Sequence, residues 1–298
     1  MINRILQLCS ARWLIQMDSA LSYLPLVMAW VNGQKFASEE MTKEEKANKP
    51  YALSFKIQDG VNIVGQYELD DPAMPENSVA VIPIQGVILS WNSMNLVANI
   101  QQAGMNPSIN SILFLVNSPG GMVFYTDIAA TEIKNCKKPT VACIMNMGAS
   151  AAMWMISAMD YRICTSPMDW VGSIGTMMSF MDFSRMLKEK LSIDIYEIYA
   201  DDSSRKNEML RQLREGNDTL VKQDLKFVND IFHQTILDNL KLPKDSEVFQ
   251  GATYNATDGL RLGLIDEINT VDYAIDFAYK KGLSFKALNI GNQIFKQS

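Results

Sequence analysis

Histidine is nearly absent: His233 is the single one in 298 residues. That excludes a histidine-rich metal centre and leaves any scheme that needs imidazole with one candidate. His233 lies in the amphipathic stretch Asp230-Ile231-Phe232-His233-Gln234, with no glycine turn or apolar pocket to aim its ring, and reads as an ordinary, partly exposed helix position. Cysteine is scarce too. Cys9, Cys136, Cys143 and Cys164 form no Cys-x-x-Cys pair, and Cys143 and Cys164 fall inside apolar runs. Reduced core thiols of a cytoplasmic-type compartment are expected rather than a disulfide framework or a metal site. Neither a metal nor an organic cofactor is expected.

Charge of one sign is not concentrated anywhere. The formal net charge is −6 with acids and bases interspersed, and no lysine- or arginine-rich run offers a phosphate-binding surface, so nucleic acid is not an expected partner. Long apolar runs are missing as well. Arg4, Arg12 and Asp18 interrupt the apolar N-terminal stretch, leaving no span near the roughly 20 residues of a transmembrane helix, so no transmembrane anchor is expected. Asp18 and the lack of a small-residue cleavage site also argue against a secretory signal. Residues 1–31 read as an amphipathic helix that packs on the body of the protein or on a partner subunit, with membrane-surface binding the less favoured alternative because the segment is poor in lysine.

What is present is a chain that can build a core, with 48% hydrophobic and 20% charged residues. From Asn32 to about Pro50 the composition turns charged, and a proline-rich break follows at Asp70–Pro75. An alternating pattern then begins. Val79–Ile84, Ile112–Val116, Thr140–Met145 and Tyr161–Thr165 are short apolar or β-branched runs that predict strands. Between them, Ser90–Ala103, Thr126–Asn135 and a segment starting near Ser150 predict helices. Such alternation predicts an α/β fold with a largely parallel sheet covered on both faces. Beyond Asp182 the chain is mostly helical, with an amphipathic helix at Thr219–Leu240 and a β-like run at Ile193–Tyr199. Near the end a helix stops at Gly263, followed by a short strand at Leu264-Ile265.

Two segments can carry chemistry. Asn117-Ser118-Pro119-Gly120-Gly121 follows a buried strand and leaves backbone amides uncovered, which suits an oxyanion or an ordinary turn. Asn146-Met147-Gly148-Ala149-Ser150-Ala151-Ala152 follows another, and places a serine at a helix start, as a nucleophile or as a plain N-cap. In a parallel sheet both turns leave the carboxyl ends of strands, where ligands bind. A serine on one turn and glycine amides on its neighbour make an acyl-transfer arrangement. The base can be a lysine if burial lowers its pKa. Lys206, in Asp202-Ser203-Ser204-Arg205-Lys206-Asn207-Glu208, is the candidate, or else a solvated loop lysine; Arg205 stays protonated and cannot replace it.

The order of motifs resembles the signal peptide peptidase A-type serine peptidases, including the tailed-phage head-maturation (prohead) proteases of that family. The matching pieces are Val116–Gly121, Lys138–Val141, Ala149–Ala152, Val171–Thr176, Arg205–Asn207, and Gly251–Ala256 running into Leu262–Asp266. The resemblance implies a Clp protease/crotonase-like fold of stacked βαβ units, with subunits in a homo-oligomeric ring. It implies Ser150 as nucleophile, Lys206 as general base and Ser173 as the hydroxyl that orients it. Gly120, Gly121 and the Ala151 amide match the oxyanion hole. Two departures stand out: Ala151-Ala152 replaces a usual glycine pair, and Arg205 sits beside Lys206.

The expected organisation is a helical extension and charged linker over residues 1–50, a peptidase domain over 51–285 and a tail over 286–298. The expected function is a Ser-Lys endopeptidase acting on polypeptide, of the phage or prophage head-maturation type, with scaffold and capsid proteins as substrates. Its place would be the host cytoplasm or the procapsid. The alternatives are an enzyme that degrades cleaved signal peptides, a crotonase-like acyl-CoA enzyme, and a non-catalytic assembly protein.

Overall fold

The computed structural model describes residues 13–15, 49–57, 60–179, 184–192, 194 and 196–295. The helix expected over residues 1–31 and the charged linker lie largely outside the described residues. At Trp13–Ile15 the chain is a β-strand (β1) rather than helix, and its pairing partner is described below.

The strands of the body are β2 (Tyr51–Ile57), β3 (Val61–Tyr67), β4 (Ser78–Gln85), β5 (Ile109–Ser118), β6 (Gly120–Met122), β7 (Thr140–Ala149), β8 (Tyr161–Cys164), β9 (Trp170–Gly172), β10 (Thr253–Asn255) and β11 (Glu267–Ile268). The helices are α1 (Ser90–Met105), α2 (Thr126–Asn135), α3 (Ala151–Ser157), α4 (Ser184–Leu191), α5 (Glu208–Arg214), α6 (Thr219–Leu240), α7 (Ala256–Arg261) and α8 (Val271–Phe295). Among the described residues, nine strands form one mixed sheet with the path β10-β9-β7-β5-β4-β2-β3 and β8-β11 as a branch from β7. The central pairs β4–β5, β5–β7, β7–β8 and β7–β9 are parallel, whereas β2, β3 and β10 are antiparallel to their neighbours.

The continuous apolar runs make sense because both faces of the central strands are covered. Successive side chains alternate between faces. Ala80, Ile82, Ile112, Phe114, Ala142 and Ile144 point into one core, which also holds residues of α1, α2, α3 and α6. Val79, Leu113, Val141, Cys143 and Ile163 point the other way, against Ala274, Ala278 and Tyr279 of α8. The Ser111 hydroxyl ties that face together by donating to the Ala278 carbonyl at 2.7 Å. The predicted α/β class with a mostly parallel sheet and flanking helices is what the structure contains.

Two expectations need correction. The β-like run at 193–199 forms no strand at residues 196–199: Tyr196 is 81% and Ile198 92% exposed, with no ladder to hold them, and Ile193 and Ile195 lie outside the described residues. The terminal strand is Glu267–Ile268 rather than Leu264-Ile265, because those two apolar side chains are buried as a core plug just before it. Helix α8 runs unbroken from Val271 to Phe295.

Burial pushes the Cys143 thiol up to about 12, and Cys164 higher still, so both behave as small apolar residues. Beneath the site described next, α6 meets α3 through Phe232 stacked on Trp154, with centroids 4.5 Å apart and both rings buried. Replacing Phe232 by alanine should cost about 3–5 kcal/mol in denaturant unfolding, because the ring leaves a cavity that helices anchored on both sides cannot close.

Candidate active site

Strand β7 runs into Ser150, and α3 begins at the next residue. Ser150 has φ 57° and ψ −120°, a conformation that costs an L-residue on the order of 1–3 kcal/mol and persists only where the surroundings enforce it. Here the Ser150 N–H donates to the Gly172 carbonyl at 2.8 Å, and the Ser150 carbonyl accepts from Trp154 N–H at 2.9 Å. The N-cap role is not taken up, since the Ser150 side chain makes no capping hydrogen bond. The serine therefore sits on a sharp strand-to-helix corner, 1% exposed, with Ala151 and Ala152 fully buried beside it. The alanines fit without further opening, so the missing glycine pair leaves this corner intact.

The glycine segment is not only a turn. Gly120–Met122 is a strand, and its two edges are differently used. Ile88 N–H donates to the Gly120 carbonyl and Met122 N–H to the Ile88 carbonyl, both at 2.8 Å. By strand alternation, the Gly121 N–H and C=O face the opposite edge. The Gly120 N–H is turned to the Ser118 hydroxyl at 3.2 Å, and that hydroxyl donates to the Gly86 carbonyl at 2.6 Å. Of the two glycines, Gly121 is thus the one whose amide faces away from Ile88, while Gly120, at φ 100°, makes the bend. A Cβ on Gly121 would lie 1.9 Å from the Ile88 carbonyl oxygen, so no other residue fits there. Helix α3 packs against β6, which brings the first amides of that helix, Ala151 among them, to the same end of the sheet.

Ser173 arrives by a device that the sequence does not advertise. Strand β7 pairs with β8 along its first half and with β9 along its second, and the change of partner occurs around Asn146, at φ 70°. The buried Asp169 carboxylate holds this break. It accepts from Asn146 N–H (2.8 Å), Thr165 N–H (2.7 Å), the Thr165 hydroxyl (3.0 Å) and Ser166 N–H (2.8 Å). Gly172, which receives the Ser150 amide, is followed directly by Ser173, at φ 53° with its N–H on the Ala252 carbonyl at 2.7 Å. Ser150 and Ser173 are therefore locked to one backbone frame. Asp169 is a residue that sequence reading missed; its one partner on β7, Asn146, is 23 positions away, and only the Ser166-Pro167-Met168-Asp169 turn composition hints at it.

The lysines separate clearly. Lys206 lies in the turn after a short 3₁₀ segment at Asp201–Ser203, exposed, with its N–H on the Ser203 carbonyl at 3.0 Å and its own carbonyl accepting from Arg211. Among the described residues no hydrogen bond joins it to Ser150. Lys138 is lowered to about 8 by burial, but its ammonium donates to the Ala103 and Asn106 carbonyls at the end of α1. It precedes β7 at the end opposite Ser150, on the order of 30 Å away along the strand, and serves the fold. His233 packs on Phe249 at 4.8 Å, with Nε2 buried and unpartnered. Burial holds this ring below its ordinary value, opposed by the Ile174 carbonyl that faces it. It is a structural residue of α6, as the sequence predicts.

A strained, buried serine at the carboxyl edge of a parallel sheet, beside a glycine strand whose Gly121 amide faces away from Ile88, is an arrangement that acyl transfer through a serine can use. The chain belongs to peptidase family S49, whose sequence model matches residues 132–283. Protease 4 of Haemophilus influenzae is 25% identical over 273 residues, covering 84% of this chain and 43% of that protein. A putative protease of Methanocaldococcus jannaschii is 29% identical over 192 residues, 61% of this chain and 58% of its own length. Capsid assembly protease C of Escherichia phage lambda is 26% identical over 214 residues, 66% and 48% respectively. The chain spans about half the length of these curated relatives.

Two outcomes test the geometry. Asp169→Ala should lower stability by about 3 kcal/mol in urea unfolding, since it orphans buried backbone donors and releases the β7 break. For His233, the folded value lies below the unfolded one, so the unfolded chain takes up the proton first as pH falls. The stability of the neutral ring is complete above about 6.5 and is lost below it. The thermal midpoint should fall more steeply from pH 7 to pH 5 in the wild type than in His233→Gln.

Proposed function

We propose that the protein is a serine endopeptidase with Ser150 as nucleophile. The observation that carries this reading is the enforced corner at Ser150 next to the strand edge that the Gly121 amide faces. In the proposed cycle the Ser150 hydroxyl attacks a peptide carbonyl while a base takes its proton. The tetrahedral oxyanion receives the Gly121 and Ala151 amides. Collapse expels the amine, which leaves with the proton returned from the base, and water then hydrolyses the acyl-enzyme.

Lys206 is the proposed base, supported by its place in the family motif and by the lack of an imidazole at the site. Ser173, fixed through Gly172 to the Ser150 corner, is the hydroxyl proposed to orient it. A lysine acts as a base when burial lowers its pKa. Lys206 is exposed in the single subunit, and we assign its cover to assembly into the homo-oligomeric ring. Polypeptide is the substrate class. The likeness to a phage capsid assembly protease supports scaffold and capsid proteins as the targets, processed in the host cytoplasm or procapsid. Among the described residues no helix is long and apolar enough to cross a membrane. In this reading residues 51–285 carry the peptidase, residues 1–50 are an appendage to it and residues 286–298 a tail.

A fluorophosphonate probe tests the assignment. The wild type should label at Ser150, and Ser150→Ala should not. Lys206→Ala should lower kcat/KM on a peptide substrate at least a thousandfold, about 4 kcal/mol of transition-state stabilisation. An unlabelled wild type would return the fold to the acyl-CoA or assembly readings, and normal cleavage by Lys206→Ala would remove the dyad.

A further inference from the structure

Strand β6 has one edge satisfied by Ile88 and one edge that carries the Gly121 N–H and C=O. An open strand edge beside a nucleophile is a place where an extended polypeptide adds by main-chain hydrogen bonds. In the structure that edge is taken, and the occupant comes from the same chain. Trp13–Ile15 pairs with it antiparallel, in the register Trp13 with Met122, Leu14 with Gly121 and Ile15 with Gly120. Because the Gly120 carbonyl and Met122 amide are already committed to Ile88, the pair that exchanges hydrogen bonds across the outer edge is Leu14 with Gly121. The Leu14 carbonyl thus meets the amide assigned above to the oxyanion.

We infer that residues 13–15 are an intramolecular masking strand, a tethered segment that occupies the peptide-docking edge and must leave before substrate can add there. The inference rests on the reading of Ser150 and Gly121 as acyl-transfer groups. Trp-Leu-Ile is an aromatic, apolar, partly β-branched tripeptide suited to extended pairing, which accounts for strand where amphipathic spacing alone predicts helix. Covalent attachment makes its docking intramolecular, so a free peptide competes against an effective concentration rather than a bulk one. The consequence is a raised apparent KM, relieved when the segment is displaced.

The test uses the full chain and its Leu14→Pro variant. Proline has no N–H for the Gly121 carbonyl and is not accommodated inside a ladder. The unfolding midpoint should stay unchanged, because β1 pairs with β6 alone among the described residues. Amide hydrogen exchange at Gly121 should be at least tenfold faster in the variant; an equal rate overturns the docking. Cleavage of a short unstructured peptide should show kcat/KM at least fivefold higher, through KM. Unchanged kcat/KM despite faster Gly121 exchange overturns the masking. Fluorophosphonate labelling separates the two readings: if neither protein labels at Ser150 the peptidase reading fails, while exchange at Gly121 still decides whether the strand docks.

Discussion

The hydrogen bond from the Ser150 amide to the Gly172 carbonyl, at 2.8 Å, is the contact on which the site depends. A serine at positive φ does not hold that conformation unaided, because its Cβ crowds the neighbouring backbone. The bond fixes the corner from outside and, in the same stroke, fixes Ser173, the residue that follows β9. It exists only because β7 changes partner halfway along its length, and that change is held by the four bonds to the Asp169 carboxylate. Strain at the serine is thus balanced by a buried acid on the adjoining turn.

The glycine strand follows a similar logic. Ser118 and Ile88 use up the polar groups of one edge and of the bend, so the chain is left with one outward-facing amide, that of Gly121. The 1.9 Å approach of a virtual Cβ to the Ile88 carbonyl explains why two glycines stand there for different reasons: Gly120 for its dihedral angle and Gly121 for its contact. An edge arranged this way accepts any extended chain with little regard to side chains, which suits a peptidase and also exposes it to its own N-terminal segment.

Much of the fold was legible. Strands β4, β5, β7 and β8 announce themselves as apolar runs, and α1, α2 and α6 as residues at helical spacing, because these signals are local. The β2–β3 hairpin was not legible: Ile63 and Val64 are consecutive and both more than half exposed, so no alternation marks it. The run at 193–199 misled for the opposite reason, since alternation predicts a strand only if a partner edge is nearby. At the site, the serine corner and the glycine pair could be read from their positions after strands. Asp169 could not, because the bond that ties its turn to β7, from Asn146 N–H, spans more than twenty residues.

By itself the sequence determined a mostly parallel α/β sheet, the end of that sheet where chemistry belongs, and a serine without an imidazole partner. Those follow from periodicity, from glycine and proline placement and from a residue count, all of which are local or compositional. Only the tertiary structure decided that Ser150 is a strained corner rather than a cap, that the Gly120 amide turns to Ser118 while the Gly121 amide faces the outer edge, and that Trp13–Ile15 lies along that edge. Each of these turns on which distant group a backbone N–H or C=O finds, and hydrogen-bond partners across a sheet are chosen by register, not by neighbours in the chain.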